Sequence, residues 1–360
     1  MRVGLVIYGG LETVSGGCLY DRKLVEYLQS RGDSVQLIGL PPRNYLSHLA
    51  DNLHPSLRRR LAGLQVDLLI QDELNHPSLC LLNRWLHTQV EYPLLTIVHH
   101  LRSSEPHPSL LTGLYRRLER SYLSGMDGFI YNSQATRRSV EALVGNHKPW
   151  LVAYPAGDRL HPQVSEPDLL RRAKQPGPLE LLFLGNLIRR KGLHILVDAL
   201  GHLPRGRFHL SVIGNPQVDP PYAHQVHTQV ANLGLGRWVD FYGLVSDGEL
   251  AERMRRSHLM VVQSTYEGFG IAYLEGMGFG LPSIATLAGG AAELVLHGQN
   301  GFLLQPDDAG GLACLLAKLE QDRHRLAQLS LAARASFLAH PRWDETGERI
   351  RAFLESQRKG

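Results

Sequence analysis

The feature that most limits what this chain can fold into is a rhythm that runs twice. Short apolar stretches alternate with longer segments of helical periodicity. MRVGLVIYGG (1–10) reads as a buried strand ending in Gly9–Gly10. LETVSGGCLYDRKLVEYLQSRG then reads as a glycine-bearing loop and a helix with Leu19, Leu24 and Leu28 on its apolar face, ended by Gly32. DSVQLIGL, VDLLIQD, PLLTIVHH, MDGFIYNS and PWLVAYPAGD continue the series of strands. This is the alternation of βαβ units in a parallel sheet. Residues 160–178, rich in proline and charge, read as a linker. The rhythm then restarts with LELLFLGN, FHLSVIGN, WVDFYG, HLMVVQS and LPSIAT, and two helices around 309–339 and 343–357 close the chain. The expected fold is α/β, with one Rossmann-like domain over 1–163 and a second over 164–340. In such sheets ligands sit at the carboxyl ends of the strands, and two facing sheets would leave a cleft between the domains.

Composition supports this reading and narrows the function. With 360 residues, 43% apolar and 20% charged, both halves can bury a core. A net charge of +4 fits an anionic ligand without demanding one, and the small excess sits in the first half. No arginine-glycine tail or aromatic-basic motif of an RNA binder occurs, so nucleic acid is not an expected partner. Cys18, Cys80 and Cys314 are odd in number and far apart, which disfavours a disulfide framework or a cysteine metal site and suits a reducing cytoplasm. The apolar opening is too short for a signal peptide, and no segment reaches the roughly 20 apolar residues needed to span a bilayer.

The most informative segment is STYEGFGIAYLEGMGFGLPSI (264–284). A strand end, a loop with Glu267, Gly268, Phe269 and Gly270, and a helix starting near Ile271 follow one another. Glycines before a helix N-terminus let backbone approach a ligand, and the amides and dipole there favour phosphate. Glu267 in that loop and Glu275 one turn inside the helix could accept hydrogen bonds from sugar hydroxyls. Two such glutamates alone would more simply be solvated; the glycines around them favour a site.

This segment resembles the Glu-x7-Glu motif of the retaining GT-B glycosyltransferases of family 4. The resemblance extends through FLGNLIRRKGLHILVDAL (183–200), VIGNP (212–216), VDFYGLVSDGELAERMRRSHLMVVQS (239–264) and GGAAELVLHGQNGFLL (289–304). The opening glycine-rich loop and TIVHHL fit as well. It implies a nucleoside-diphosphate sugar as donor and a small-molecule, glycan or lipid-linked acceptor. It also implies that Glu267 holds the donor sugar while Gly268, Phe269, Gly270 and Ile271 present amides to sugar and phosphate. Glu275 would bind the ribose, and Lys191 with Arg190 would clamp the pyrophosphate, stabilising its charge as it leaves. Gly214 would line the donor site, and Val245 in YGLVS would offer backbone groups to the base. Asn186 would stand in the donor site where relatives often carry arginine, which puts the phosphate contact there in question, and Arg189 or Arg190 could replace it.

On the first domain, the resemblance places His99 at a strand end facing the donor sugar, with His100 as the close second. Adjacent histidines seldom chelate one ion. Gly16 and Gly17 of the SGG loop would let backbone approach phosphate or acceptor, and Arg102 and Glu105 would touch the acceptor. The amphipathic stretch 109–123, with Arg116, Arg117 and Arg120, allows peripheral contact with the inner face of a membrane, although a solvated basic face is the commoner meaning. His224 and His227 read as surface residues. The last segment, 341–360, is expected to cross back onto the first domain at Trp343.

Transfer with retention needs no nucleophilic side chain if the leaving phosphate takes the acceptor's proton. The expected catalytic group is therefore His99, Glu267 and Lys191, acting by position and charge, with no cofactor and no metal. No Asp-x-Asp triplet occurs. A glycoside hydrolase would use two carboxylates but no cationic clamp. A nicotinamide dehydrogenase would show G-x-G-x-x-G after its first strand, and neither half does. A non-catalytic sugar-nucleotide-binding partner protein is the remaining alternative.

Overall fold

The computed structural model describes residues 1–13 and 15–358; Val14 of the glycine-rich loop and residues 359–360 lie outside the described residues. The chain divides into two compact units, one of Met1–Pro155 joined by the segment from Trp343 onward, the other of Ala156–Arg342. Residues 156–163, read from sequence as the end of the first domain, thus fall in the second unit.

The first unit is built on β1 (Arg2–Tyr8), β2 (Ser34–Leu40), β3 (Leu68–Asp72), β4 (Leu94–Val98), β5 (Gly128–Tyr131) and β6 (Trp150–Val152). All pair in parallel in the order β2-β1-β3-β4-β5-β6. β3, β4 and β5 are buried at every residue, as strands covered by helices on both faces must be. The chain steps from β1 to one side and then to β3 on the other, so the direction of winding reverses between β1 and β3. The helix Gly16–Ser30 starts at Ser15, whose side chain accepts from the Cys18 amide.

The helix Trp343–Gln357 also belongs to this unit. Arg351 pairs with Asp33 at 2.7 Å, Thr346 Oγ1 donates to the Tyr154 carbonyl at 2.7 Å, and the Trp343 ring stands edge-on to Tyr20. Gly347 lies so close to Tyr27 that a Cβ there would stand 2.4 Å from the ring.

The second unit repeats the plan with β7 (Leu179–Leu184), β8 (Phe208–Ile213), β9 (Val239–Gly243), β10 (Leu259–Val261), β11 (Ser283–Thr286) and β12 (Gly301–Leu304). Its parallel order is β12-β11-β10-β7-β8-β9. β7, β8 and β9 wind to one side, and β10, β11 and β12 to the other. The reversal therefore falls between β7 and β10, where ligand crevices form in open α/β sheets.

Two readings of the sequence need correction. The supposed linker 160–178 contains the helix Glu166–Lys174, because Ser165 and Asp168 form a reciprocal capping box and Pro167 sits in the first turn, where no amide partner is lost. Arg172 of this helix is buried, its guanidinium donating to the Gly280 carbonyl and Ser330 Oγ at 2.9 and 3.2 Å. The segment 309–339 is two helices, Ala309–Gln321 and Arg323–Leu338, because Asp322 leaves helical geometry and caps the second through the Arg325 amide.

Gly347→Val is expected to destabilise the first unit by about 1–3 kcal/mol through overpacking against Tyr27. Gly248→Ala, in a helix where no atom lies within 4 Å of an added Cβ, should be neutral or slightly stabilising. Thermal unfolding of both variants checks this; an unchanged melting temperature for Gly347→Val would contradict the packing.

Candidate active site

The carboxyl edge of the second sheet gathers the residues singled out in sequence. After β7 the chain passes Gly185 and Asn186 into the tight turn Arg189–Lys191. After β10 it runs through Ser264 and Glu267 to the helix Ile271–Gly278. These two segments are fastened together. The Thr265 amide donates to the Arg190 carbonyl at 2.8 Å, and Arg190 donates to the Tyr266 carbonyl at 2.7 Å. Gly192 has φ +66°, and a Cβ there would fall 2.0 Å from the Gln263 carbonyl oxygen, so only glycine lets the turn lie against the β10 segment.

Lys191 thereby reaches Glu267. Its Nζ donates to both carboxylate oxygens at 2.8 Å, and Ser264 Oγ donates to Oε2 at 2.8 Å. The Arg190 guanidinium lies 4.0 Å from Oε2. Burial alone would raise the Glu267 pKa, but the charges of Lys191 and Arg190 and the hydrogen bonds from Lys191 and Ser264 outweigh it and hold the carboxyl at about 2. Burial lowers the Lys191 pKa, with Glu267 opposing the shift. Glu267 is therefore an ionised acceptor at neutral pH.

Gly270, at φ +101°, ends the loop and opens the helix. Gly268, Phe269 and Ile271 flank it, Phe269 with its ring buried. The first amides of any helix lack a partner within it, so this start is where an anion can be received.

Glu275 is buried on the same helix, and its Oε1 accepts from Arg159 Nε at 2.8 Å. Arg159 also pairs with Asp247, at the start of the helix Asp247–Arg256. This chain of charges ties Glu275 to the loop after β9 that carries Val245. Burial raises the Glu275 pKa, and Arg159 opposes it. Sequence reasoning missed Arg159, which lies 116 residues from its partner in a segment without a motif. Gly214 is required to be glycine by packing as well. A Cβ there would lie 1.8 Å from the Gly185 carbonyl oxygen, so the residue is glycine because β7 and β8 end against each other.

In the first unit, His99 stands at the end of β4. It is 7% exposed, with Nε2 3.2 Å from Asp21 Oδ1. Gly17 is brought directly beside it, since a Cβ there would meet the imidazole at 3.1 Å, while Gly16 lies exposed at the helix start. His100 is set apart from it by its partner, bonding Glu105 at 3.0 Å. The Arg102 guanidinium lies against the rings of Tyr45 and Tyr115. Asp21 was not singled out in sequence, although it falls three residues before Leu24 and seven before Leu28, an acid on the apolar stripe of its helix. On the helix Ser109–Ser124, Leu110, Leu111 and Leu114 are exposed, as are Arg116, Arg117 and Arg120.

Residues 168–336 match the family described as Glycosyl transferases group 1. The second unit carries a group 1 glycosyl transferase domain. Lys191, Glu267 and Glu275 all lie within that domain; Arg159 stands just before it. Among similar proteins, mannosylfructose-phosphate synthase of Agrobacterium fabrum is 28% identical over 49% of this chain and 40% of its own length. Glycogen synthase of Mycobacterium tuberculosis is 31% identical over 48% of this chain and 41% of its own. The chain thus spans less than half the length of these curated relatives. Its fold is that of GT-B structures. A sucrose-phosphate synthase from Thermosynechococcus elongatus superposes with a TM-score of 0.83 at 20% identity, covering 99% of this chain and 98% of that one. Anabaena HepE, solved with UDP-glucose, superposes with a TM-score of 0.77 at 24% identity, covering 99% and 100%.

Lys191→Met should lower unfolding stability at neutral pH by about 3 kcal/mol, because it leaves the Glu267 carboxylate buried without its cation. The sign with pH follows from a folded pKa near 2 against an ordinary 4.5. The pair's contribution is fully present above the ordinary value and is lost as pH falls toward about 2. The gap between wild type and variant should therefore stay level above about pH 5 and narrow as the pH falls from about 4.5 toward about 2 in urea unfolding. A gap independent of pH would contradict the assignment.

Proposed function

We propose that this chain is a retaining glycosyltransferase that moves a sugar from a nucleoside-diphosphate donor to a hydroxyl acceptor without a metal ion. The observation that carries this reading is the Lys191–Glu267–Ser264 constellation at the β7/β10 reversal, beside the Gly270-led helix start of a group 1 domain.

Each part has a chemical use. Glu267, ionised and held on one side by Lys191 and Ser264, accepts hydrogen bonds from the donor sugar's hydroxyls. Lys191 has three N–H bonds, so it can keep its carboxylate while donating to the distal phosphate. Arg190 and the amides from Gly268 to Ile271 add positive potential where charge accumulates. Glu275, oriented by Arg159, accepts from the ribose, and the loop at Val245 lies near the base. As the bond between the anomeric carbon and phosphate oxygen breaks, the acceptor oxygen bonds the same face. Its proton passes to the departing phosphate, which leaves as the diphosphate. No side chain forms a covalent bond; the rate comes from placement and from stabilising the leaving group.

The exposed Leu110, Leu111 and Leu114 and the arginines beyond them support peripheral contact with an anionic lipid surface, and with it a lipid-linked acceptor. No helix among the described residues is long and apolar enough to cross a membrane.

A panel of nucleotide sugars, with chelator in excess and anionic vesicles present, is expected to give turnover with at least one donor and retained anomeric configuration by NMR. Lys191→Met and Glu267→Gln should each lower kcat by about a hundredfold or more, whereas Glu275→Gln should act mainly on the donor KM. Strict metal dependence, inversion of configuration or an unaltered kcat in Glu267→Gln would contradict the proposal. Failure of the chain to sediment with anionic vesicles would remove the membrane contact alone.

A further inference from the structure

The first unit holds a group of buried charges with an unusual balance. Asp21 on the helix Gly16–Ser30, Asp72 at the end of β3 and His99 at the end of β4 bring oxygen and nitrogen atoms within 4.8 Å of one another. All three are more than nine-tenths buried. Asp21 Oδ1 faces His99 Nε2 at 3.2 Å, and its Oδ2 is buried without a partner. Asp72 accepts from the Leu74 amide. Among the described residues no lysine or arginine pairs with either aspartate. Glu73 adjoins them but lies against His76. The Tyr20 ring stands edge-on to the imidazole at 5.3 Å, and Cys18 lies one turn before Asp21 on the same helix. Just past β4, His99 is followed by His100, which is engaged with Glu105.

The imidazole cannot readily turn away. The His99 carbonyl accepts from Asn132 Nδ2 at 2.7 Å and from Thr136 Oγ1 at 3.3 Å, which fixes its backbone. Tyr20 is itself held by a hydrogen bond from its hydroxyl to the Ala153 carbonyl. Gly17 closes the other side, 3.1 Å from the ring at the position of an added Cβ.

We infer that Asp21 is a positioning residue that holds His99 as an imidazolium with Nε2 turned inward, so that His99 serves transfer as a fixed cationic hydrogen-bond donor through Nδ1 and not as a base. This rests on the transferase reading above for the role, but not for the charge state. The physical ground is the charge balance. Removing the proton from His99 would leave Asp21, and Asp72 while it is ionised, buried with no cation, a situation proteins avoid. A base must be able to lose its charge, and this cluster opposes that loss. The electrostatics agree. Burial alone would depress the imidazole, but Asp21, then Asp72 and Glu73, raise it to about 9. Asp72, raised to about 7 chiefly by burial and then by Asp21, is the member that takes up a proton near neutrality. A donor role also suits a reaction in which the leaving phosphate receives the acceptor's proton.

The test is an NMR titration of the His99 imidazole in the full chain, assigned with His99→Gln, beside pH profiles of turnover. In wild type the ring is expected to stay protonated through neutral pH, and kcat/KM to fall only at the alkaline end. Asp21→Asn should lower the imidazole midpoint by at least about one pH unit, and the alkaline limb should move with it. Asp72→Asn should shift it less, and it provides the same readout if Asp21→Asn does not fold. An imidazole titrating near 6.5 in wild type, an unmoved midpoint in both variants, or a divalent cation found on these three residues would overturn the inference. The titration is read without substrate, so a chain lacking transferase activity could still show the shift. That result would count against the transferase reading and leave the charge state standing.

Discussion

The contact between Lys191 and Glu267 is the interaction on which the arrangement of the second unit's candidate site depends. It joins the two segments that leave the sheet on either side of its winding reversal, and it neutralises a carboxylate that burial alone would protonate. Without the cation, Glu267 would tend toward a neutral acid, able to accept less from a sugar. Without the carboxylate, Lys191 would tend to shed its proton on burial and lose its attraction for phosphate. Each group keeps the other in its useful state, and Gly192 permits the close approach that makes this possible.

The same logic, with opposite sign, runs through the first unit. There two buried acids depend on one histidine, where in the second unit one buried acid is served by a lysine with an arginine nearby. The surplus of carboxylate around His99 fixes a positive charge; the surplus of cation around Glu267 fixes a negative one. Both clusters stand at carboxyl edges of parallel sheets, where the last residue of a strand is aimed outward and the following loop is free to bring in partners.

What could be read from sequence follows from the range of the interactions. Eleven of the twelve strands were foreshadowed by short apolar runs, as expected where burial on both faces leaves little room for polar alternation, whereas β12 was not read as a strand. Glu267, Gly270 and Glu275 stood out because they share one loop and helix start. Lys191 stood out as part of a basic turn after a strand. Arg159 and Asp21 did not, since each acts through a partner brought near by folding alone: Glu275 for the first, His99 for the second. The segment 160–178 was misread because proline and charge signal a linker, whereas Ser165, Pro167 and Asp168 at those spacings start a helix. At Gly214 nothing in the sequence signals that a neighbouring carbonyl by itself requires glycine, because that contact also forms only on folding.

In the proposed reaction the helix start at 268–271 and the cation at 191 together receive a diphosphate. Calorimetric titration of uridine, guanosine and adenosine diphosphates, each beside its monophosphate and in chelator, measures this directly. At least one diphosphate should bind one site per chain about tenfold or more tighter than its monophosphate, a gain of about 1.4 kcal/mol that disappears in Lys191→Met. Equal affinity for both nucleotides, or an advantage that survives Lys191→Met, would contradict it.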